Sequence, residues 1–293
     1  MATYPLSIIV PVYNEEHGLP NGLPALTALL ESLPPGSELL LVNDGSTDGS
    51  GKVLEGLPAV MGGKSVRVLN HWKNLGYGRA LKTGVRAATN EFVAICDADG
   101  TYPVEELPAM MSRAATEGAA MVVGARPVGQ QPAVRRPAKA VLRWLAEYLT
   151  GTPIPDLNSG LRVMRREDCQ RFENLLPNGF SFTTTITIAL LSDGQKVVYH
   201  PIDYGRRIGS SKIRPVADTI NFLMLILRTT LAFDPLKVYG PIGAGLLTAG
   251  LAFLLVRLWI PMGVVTTVVL LTAGLQVLLL GLLADLVNRR GLR

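Results

Sequence analysis

Two carboxylates, Asp97 and Asp99, stand one residue apart at the end of the apolar run Phe92-Val-Ala-Ile-Cys96. In a strand, residues i and i+2 point the same way. The pair can therefore face one spot if strand geometry reaches its end. Like charges this close repel unless a cation sits between them. A hard divalent ion, Mg²⁺ or Mn²⁺, accepts carboxylate and phosphate oxygens together. The chemistry open to the pair is thus to hold a metal and the phosphates of a substrate. Aspartate is also common in turns, so the surroundings must decide. Three histidines without paired spacing argue against a His-based zinc site. The two cysteines, Cys96 and Cys169, give no disulfide framework and fit a reducing cytoplasm.

The elements that must position the pair follow from periodicity. Apolar runs at 6–12, 38–43, 65–70 and 91–96 read as strands. Helical spacing at 16–33 and a small-residue helix at 77–89 separate them. Short strand–helix alternation predicts a doubly wound, mostly parallel sheet. Right-handed crossovers then bring the loops at 13–16, 44–48 and 97–102 to one edge, the edge where open α/β sheets bind ligands. Further strands are expected at 120–124, 160–165 and 196–202, with helices at 138–149 and 182–192. In the second loop Thr47 or Asp48 can cap the next helix. Glu16 suits the dipole of the helix it precedes.

The C-terminal third changes character. No charge occurs between Lys237 and Arg257, and none in Gly263–Ala284. About 20 apolar residues span a bilayer core, so two membrane helices are expected at about 238–259 and 263–285, joined as a hairpin. Basic residues flank both ends (Arg228, Lys237, Arg289, Arg290, Arg293), against Arg257 alone at the tip. The positive-inside rule then places both ends, and the N-terminal domain, in the cytoplasm of an integral membrane protein. The start of the chain lacks the basic and apolar regions of a signal peptide. Residues 214–235 are apolar but interrupted by Asp218, Asn221 and Arg228, as in a helix lying in the membrane interface. The expected division is a domain over 1–213, the interface region 214–235 and the hairpin 236–293. Small residues in Gly243–Gly250 could let helices pack closely and support a homo-oligomer. A net charge of +5 with only 6% aromatic residues favours anionic lipid or phosphorylated substrates, with no nucleic acid partner.

Four ordered blocks carry a resemblance: Ile9-Val-Pro-Val-Tyr-Asn-Glu-Glu16, Val42-Asn-Asp-Gly-Ser-Thr-Asp48, Asn74-Leu-Gly-Tyr-Gly-Arg-Ala80 and Asp97-Ala-Asp99. They resemble family-2 glycosyltransferases of the GT-A fold. Asn158-Ser-Gly-Leu-Arg162, Arg206-Arg-Ile-Gly-Ser-Ser-Lys212 and the hairpin extend the likeness over nearly the whole chain. Together they resemble the polyprenyl-phosphate glycosyltransferases, the group around dolichyl-phosphate mannose synthase.

The resemblance implies a nucleotide-sugar donor held by Pro11, Tyr13, Asn14, Glu15, Asp44, Asp97 and Ala98, with Asp97 and Asp99 carrying Mg²⁺ or Mn²⁺. Asp99 and Asp156 are the implied catalytic residues. Arg207 and Lys212 would clamp phosphate from a loop hinged at Gly209. Arg126, Arg135, Arg136, Lys139 and Ser211 would meet the acceptor phosphate. Lys139 stands where the family often has Ser, and Asn43-Asp44 where it usually has two acids. Glycines 76, 78 and 84 would let a helix start pack close under the nucleotide. The expected reaction is inverting, metal-dependent transfer of one sugar from a UDP- or GDP-linked hexose to a polyprenyl phosphate, undecaprenyl or dolichyl, at the cytoplasmic face. Such an acceptor is already ionised near neutral pH, with a second pKa of about 6 by analogy with phosphorylated side chains. The site therefore calls for cations more than for a base. Two alternatives stand beside this reading. A polysaccharide-forming transferase usually carries Gln-x-x-Arg-Trp and more spans, neither of which occurs here. A non-catalytic nucleotide-sugar-binding membrane scaffold would not need the acidic pair.

Overall fold

The computed structural model describes residues 4–127, 136–179, 181–204, 215–257 and 264–291. The first half alternates as expected. β1 (Leu6–Val12) leads to α1 (Leu19–Ser32), β2 (Glu38–Asn43) to α2 (Ser50–Glu55), and a two-residue β3 (Val60–Met61) turns into β4 (Lys64–Asn70). α3 (Tyr77–Ala87), β5 (Phe92–Ile95), α4 (Leu107–Thr116) and β6 (Met121–Ala125) follow. Then come α5 (Arg136–Thr150), β7 (Arg162–Arg165), α6 (Arg166–Arg171), α7 (Phe182–Ser192) and β8 (Val197–Pro201). The chain ends in α8 (Pro215–Phe233), α9 (Leu236–Arg257) and α10 (Val264–Gly291).

The eight strands form one sheet in the order β3-β4-β2-β1-β5-β7-β6-β8. β4, β2, β1 and β5 run parallel, as do β6 and β8. β7 runs antiparallel to both its neighbours, with Ile95 and Val123 each opposite Arg162. Period-2 side-chain direction divides the core between two faces. Ile8, Val10, Leu39 and Leu41 pack under α1 and α4, whereas Ile9, Leu40 and Val42 pack against α3 and α7. Burial on both faces explains why β2 reads as an unbroken Leu-Leu-Leu-Val run.

The reversed strand has a functional consequence. The parallel strands β4, β2, β1 and β5 end at one edge. Antiparallel β7 begins at that edge, and β6 and β8 end there. The loops after β1, β2, β4, β5, β6 and β8, and the loop before β7, therefore share one rim.

α9 and α10 are long and apolar enough to cross a bilayer, with mean hydropathy 1.7 and 2.3 and few buried residues. Their mutual face is built on small residues. A Cβ on Gly243 would overlap Leu278, and one on Gly250 would overlap Leu271. These glycines thus serve packing within the hairpin, so they no longer argue for association between copies. α8 fastens the hairpin to the domain: Ile226 is buried with Ile188 of α7 and Ala146 of α5. The Phe233 ring meets Phe172 edge-on at 5.6 Å. Asn288, near the end of α10, donates to the Leu231 carbonyl of α8, so both ends of the hairpin return to one place.

Candidate active site

The acidic pair lies in a turn just beyond β5 rather than in the strand. Both side chains are half-buried. The turn sits against the first turns of α1, and this needs glycine at 22. A Cβ there would stand 2.2 Å from the Ala98 carbonyl oxygen. A Cβ at Gly18 would meet the Glu15 carboxylate at 2.6 Å and the Asp99 Cα at 3.3 Å, so Glu15 and Asp99 flank one point. Asp99 Oδ1 accepts from the Thr101 amide (3.1 Å) and hydroxyl (2.6 Å). Asp97 Oδ1 accepts from the Tyr77 hydroxyl at 3.3 Å. Burial pushes the Tyr77 phenol well above its ordinary pKa and the Asp97 charge adds to this, so it remains a donor.

The loop before β7 covers the same turn. Gly160 donates to the Tyr102 hydroxyl at 2.8 Å. A Cβ at 160 would lie 3.0 Å from Asp97 Oδ2 and 3.1 Å from the Tyr102 ring. At the start of this loop Asp156 and Arg126 form a bidentate pair. Arg126 Nε donates to Oδ2 (2.7 Å) and Nη2 to Oδ1 (2.9 Å). The Arg126 and Asn158 amides donate to the same carboxylate at 3.2 and 3.1 Å. Burial alone would raise the Asp156 pKa, but the Arg126 hydrogen bonds and charge outweigh it and hold the carboxyl below its usual range. The Arg126 guanidinium also lies 5.4 Å from the centre of the Tyr204 ring.

The 13–16 and 44–50 loops are laced together. Asn14, at a positive φ of 54°, accepts from the Thr47 amide at 2.8 Å, while its own amide donates to Ser46 Oγ at 3.1 Å. The Glu15 amide donates to Ser50 Oγ at 2.8 Å. Pro11 lies within β1 opposite Val42, and Tyr13 is exposed at the rim. Asp44 is buried. Its oxygens accept from His71 Nδ1 (2.6 Å) and from the Leu75 (2.9 Å) and Gly76 (2.8 Å) amides, binding the second rim loop to the third. Glu16 differs from its expected role. Its carboxylate accepts from the Gly49 amide at the start of α2 at 3.0 Å, so it serves the helix across the rim. Asp48 accepts from the Ser50 amide at 3.0 Å, in the first turn of α2. Gly76 and Gly78 face the 177–179 backbone, and Gly84 faces Ile9.

The rim therefore brings together Pro11, Tyr13, Asn14, Glu15, Asp44, Asp97, Ala98, Asp99, Arg126 and Asp156. Arg135, Arg207, Ser211 and Lys212 lie outside the described residues. Arg136 and Lys139 fall on α5, their side chains outside the description. Sequence reasoning assigned no role to Tyr77, Tyr102, His71 or Arg162. Arg162 is fully buried. Its guanidinium donates to the Ser159 (2.8 Å) and Leu157 (2.9 Å) carbonyls and to Thr187 Oγ1 (2.6 Å). It pins the Asp156–Gly160 loop to α7. Its place in the Asn-Ser-Gly-Leu-Arg block was the available signal.

Hard-oxygen chemistry suits Asp97 and Asp99 to a divalent cation. Among the described residues no three His, Cys, Asp or Glu side chains form a metal-holding group. A cation there would complete its shell with substrate phosphate and water, which is how Mg²⁺ is usually held.

The family model described as "Glycosyl transferase family 2" matches residues 7–172. An undecaprenyl-phosphate 4-deoxy-4-formamido-L-arabinose transferase of Aeromonas hydrophila is 29% identical, covering 97% of this chain and 88% of its own. The transferase of the same description from Enterobacter sp. (strain 638) is 30% identical, over 98% and 89%. Glucosyl-3-phosphoglycerate synthase of Mycobacterium tuberculosis, solved with Mn²⁺, uridine diphosphate and phosphoglyceric acid, aligns with a TM-score of 0.59 at 20% identity. That alignment covers 78% of this chain and 79% of the synthase, and it shows a shared fold.

Proposed function

The chain belongs to glycosyl transferase family 2, and we propose that it moves one sugar from a nucleoside-diphosphate donor to undecaprenyl phosphate or a similar polyprenyl phosphate, inverting the anomeric carbon. One observation carries this reading. The loop that ends in the Asp97 contact begins beside the Arg126–Asp156 pair and is buried against the root of the hairpin. Leu157 shares its cluster with Ile226 of α8, and Val238 of α9 packs on it. A site for a soluble anion and a bilayer-crossing hairpin thus have a common wall, as transfer to a lipid phosphate requires. The undecaprenyl-phosphate transferases similar to this chain support the same acceptor class.

In this reading the rim loops 13–16 and 44–50 hold the nucleotide, with Asn14 and Glu15 presented by their cross-loop hydrogen bonds. Asp97 and Asp99 would carry Mg²⁺ or Mn²⁺, which when bound neutralises charge on the departing diphosphate. Arg126 is held by Asp156 at the mouth of the site, where the acceptor phosphate arrives. An ionised acceptor oxygen attacks without a general base. Asp156, held below the usual carboxylate range, therefore orients Arg126 rather than taking a proton. Arg135, Arg136, Lys139, Arg207, Ser211 and Lys212 supply further phosphate ligands in this proposal. In this reading the hairpin spans the bilayer, and its basic flanks favour the cytoplasmic side for the catalytic domain.

Asp99→Ala tests the reading. Transfer to a short polyprenyl phosphate should fall at least about 100-fold, the scale of losing one aligned electrostatic group, with an unchanged circular dichroism spectrum. Normal turnover in that variant would refute the assignment.

A further inference from the structure

One aromatic side chain stands against the cation at the mouth of the site. Tyr204 is half-buried just beyond β8, and the Arg126 guanidinium lies over its ring, 5.4 Å from the centre. The two residues leave the sheet on neighbouring strands. Ala125 of β6 is opposite Pro201 of β8, and the Ile202 amide donates to the Ala125 carbonyl at 3.0 Å. The ring of Tyr204 is itself fixed. Tyr102 meets it edge-on, with centroids 4.9 Å apart and 65° between planes. Tyr102 is buried, and its hydroxyl accepts from the Gly160 amide at 2.8 Å. Tyr204 thus joins Arg126 to the residue that anchors the loop beside Asp97. On Arg126 itself, Asp156 engages Nε and Nη2. Among the described residues nothing hydrogen-bonds Nη1, which leaves the Nη1–Nη2 edge for a second anion.

We propose that Tyr204 is a positioning residue for the acceptor: its ring fixes the plane of the Arg126 guanidinium, so that the Nη1–Nη2 edge faces the lipid phosphate. The inference deepens the proposed function and rests on Arg126 meeting that phosphate. The physical need is rotational. A carboxylate that pairs two nitrogens of a guanidinium settles one edge, but the group can still rock about the line of the pair. An aromatic ring against the guanidinium removes that freedom, and the attraction between the cation and the ring quadrupole holds the contact. The Arg126 side chain is mostly buried, and such a contact is stronger when desolvated. An incoming phosphate then has less of the arginine to order as it binds. A ring does this without competing for the open edge, whereas a carboxylate or carbonyl in its place would take it. The hydroxyl of Tyr204 has no part in this role, so the ring alone should suffice.

The test is binding of farnesyl phosphate, a short polyprenyl phosphate, to the full chain in detergent micelles by isothermal titration calorimetry. Farnesol serves as the uncharged control. Tyr204→Leu should raise the dissociation constant for farnesyl phosphate about tenfold, the scale of a desolvated cation–π contact, and leave farnesol binding unchanged. Tyr204→Phe keeps the ring and should stay within about twofold of the wild type. Arg126→Met, paired with Asp156→Asn so that no buried carboxylate is stranded, removes the group through which Tyr204 acts. Adding Tyr204→Leu to that pair should change nothing further. Equal weakening for farnesyl phosphate and farnesol would overturn the proposal. So would equal weakening in the Leu and Phe variants, or an undiminished loss in the Arg126→Met background. Wild-type affinity in Tyr204→Leu, with weakened binding in the Arg126→Met pair, rejects the role of Tyr204 alone. Wild-type affinity in the Arg126→Met pair rejects Arg126 as the phosphate ligand and the inference with it.

Discussion

Both oxygens of Asp156 are engaged by Arg126, and one of them also by the Asn158 amide. A carboxylate so held is a weak base and a strong orienter. Its folded pKa lies below the unfolded one, so the pair adds stability above the unfolded value of about 3.9. That stability is lost only as pH falls through the lower folded value. Nothing at Asp156 titrates near neutrality. The pH dependence of turnover should instead follow the acceptor phosphate, rising through about pH 6 to a plateau. Asp156→Asn should lower the rate and cost ~2 kcal/mol of stability, yet keep that profile. A profile flattened by the substitution would make Asp156 the base after all. Arg162 gives a second expectation at this scale. Replacing it by Met strands the Leu157 and Ser159 carbonyls and should cost about 3 kcal/mol or more in urea unfolding. These partnerships were not legible in the sequence. Arg126 and Asp156 are 30 residues apart, and an arginine in an apolar strand reads as solvent-facing until its carbonyl partners are seen.

Among the elements, the rim was legible because parallel strands deliver their following loops to one edge. Apolar runs at 6–12 and 38–43 gave β1 and β2 nearly residue for residue. The direction of β7 was not legible, since a four-residue strand reads alike in either sense and its neighbours decide. Helices α4 and α6 also escaped, both being short. The Asp97–Asp99 turn depends on how closely α1 can approach it. Gly22→Ala sets a methyl against the Ala98 carbonyl, an overpacking that costs about 1–3 kcal/mol. It should reduce donor-dependent turnover more than it lowers the melting temperature would explain. Gly160→Val presses on Asp97 from the other side and should do likewise. Wild-type kinetics in both variants would mean that the turn need not hold its place.

At the scale of the whole molecule, the domain and the hairpin are joined through α8, with α5 and α7 as the wall between membrane root and site. The charge-free runs that begin after Lys237 made the hairpin visible in the sequence, because runs of that length have few other uses. The wall was hidden, since it is assembled from helices far apart in the chain. It makes a joint site for a water-soluble donor and a membrane-held acceptor the central claim. The most direct measurement incubates the purified full chain in vesicles with Mg²⁺ or Mn²⁺, a short polyprenyl phosphate and a panel of nucleotide sugars. The panel covers UDP- and GDP-hexoses and the nucleotide-linked 4-deoxy-4-formamido-L-arabinose. Mass spectrometry then reads the lipid. One sugar per lipid phosphate, with one nucleoside diphosphate released for each, is the expected result. Donor binding with no glycolipid from any sugar, or a lipid bearing a lengthening chain of sugars, would contradict it.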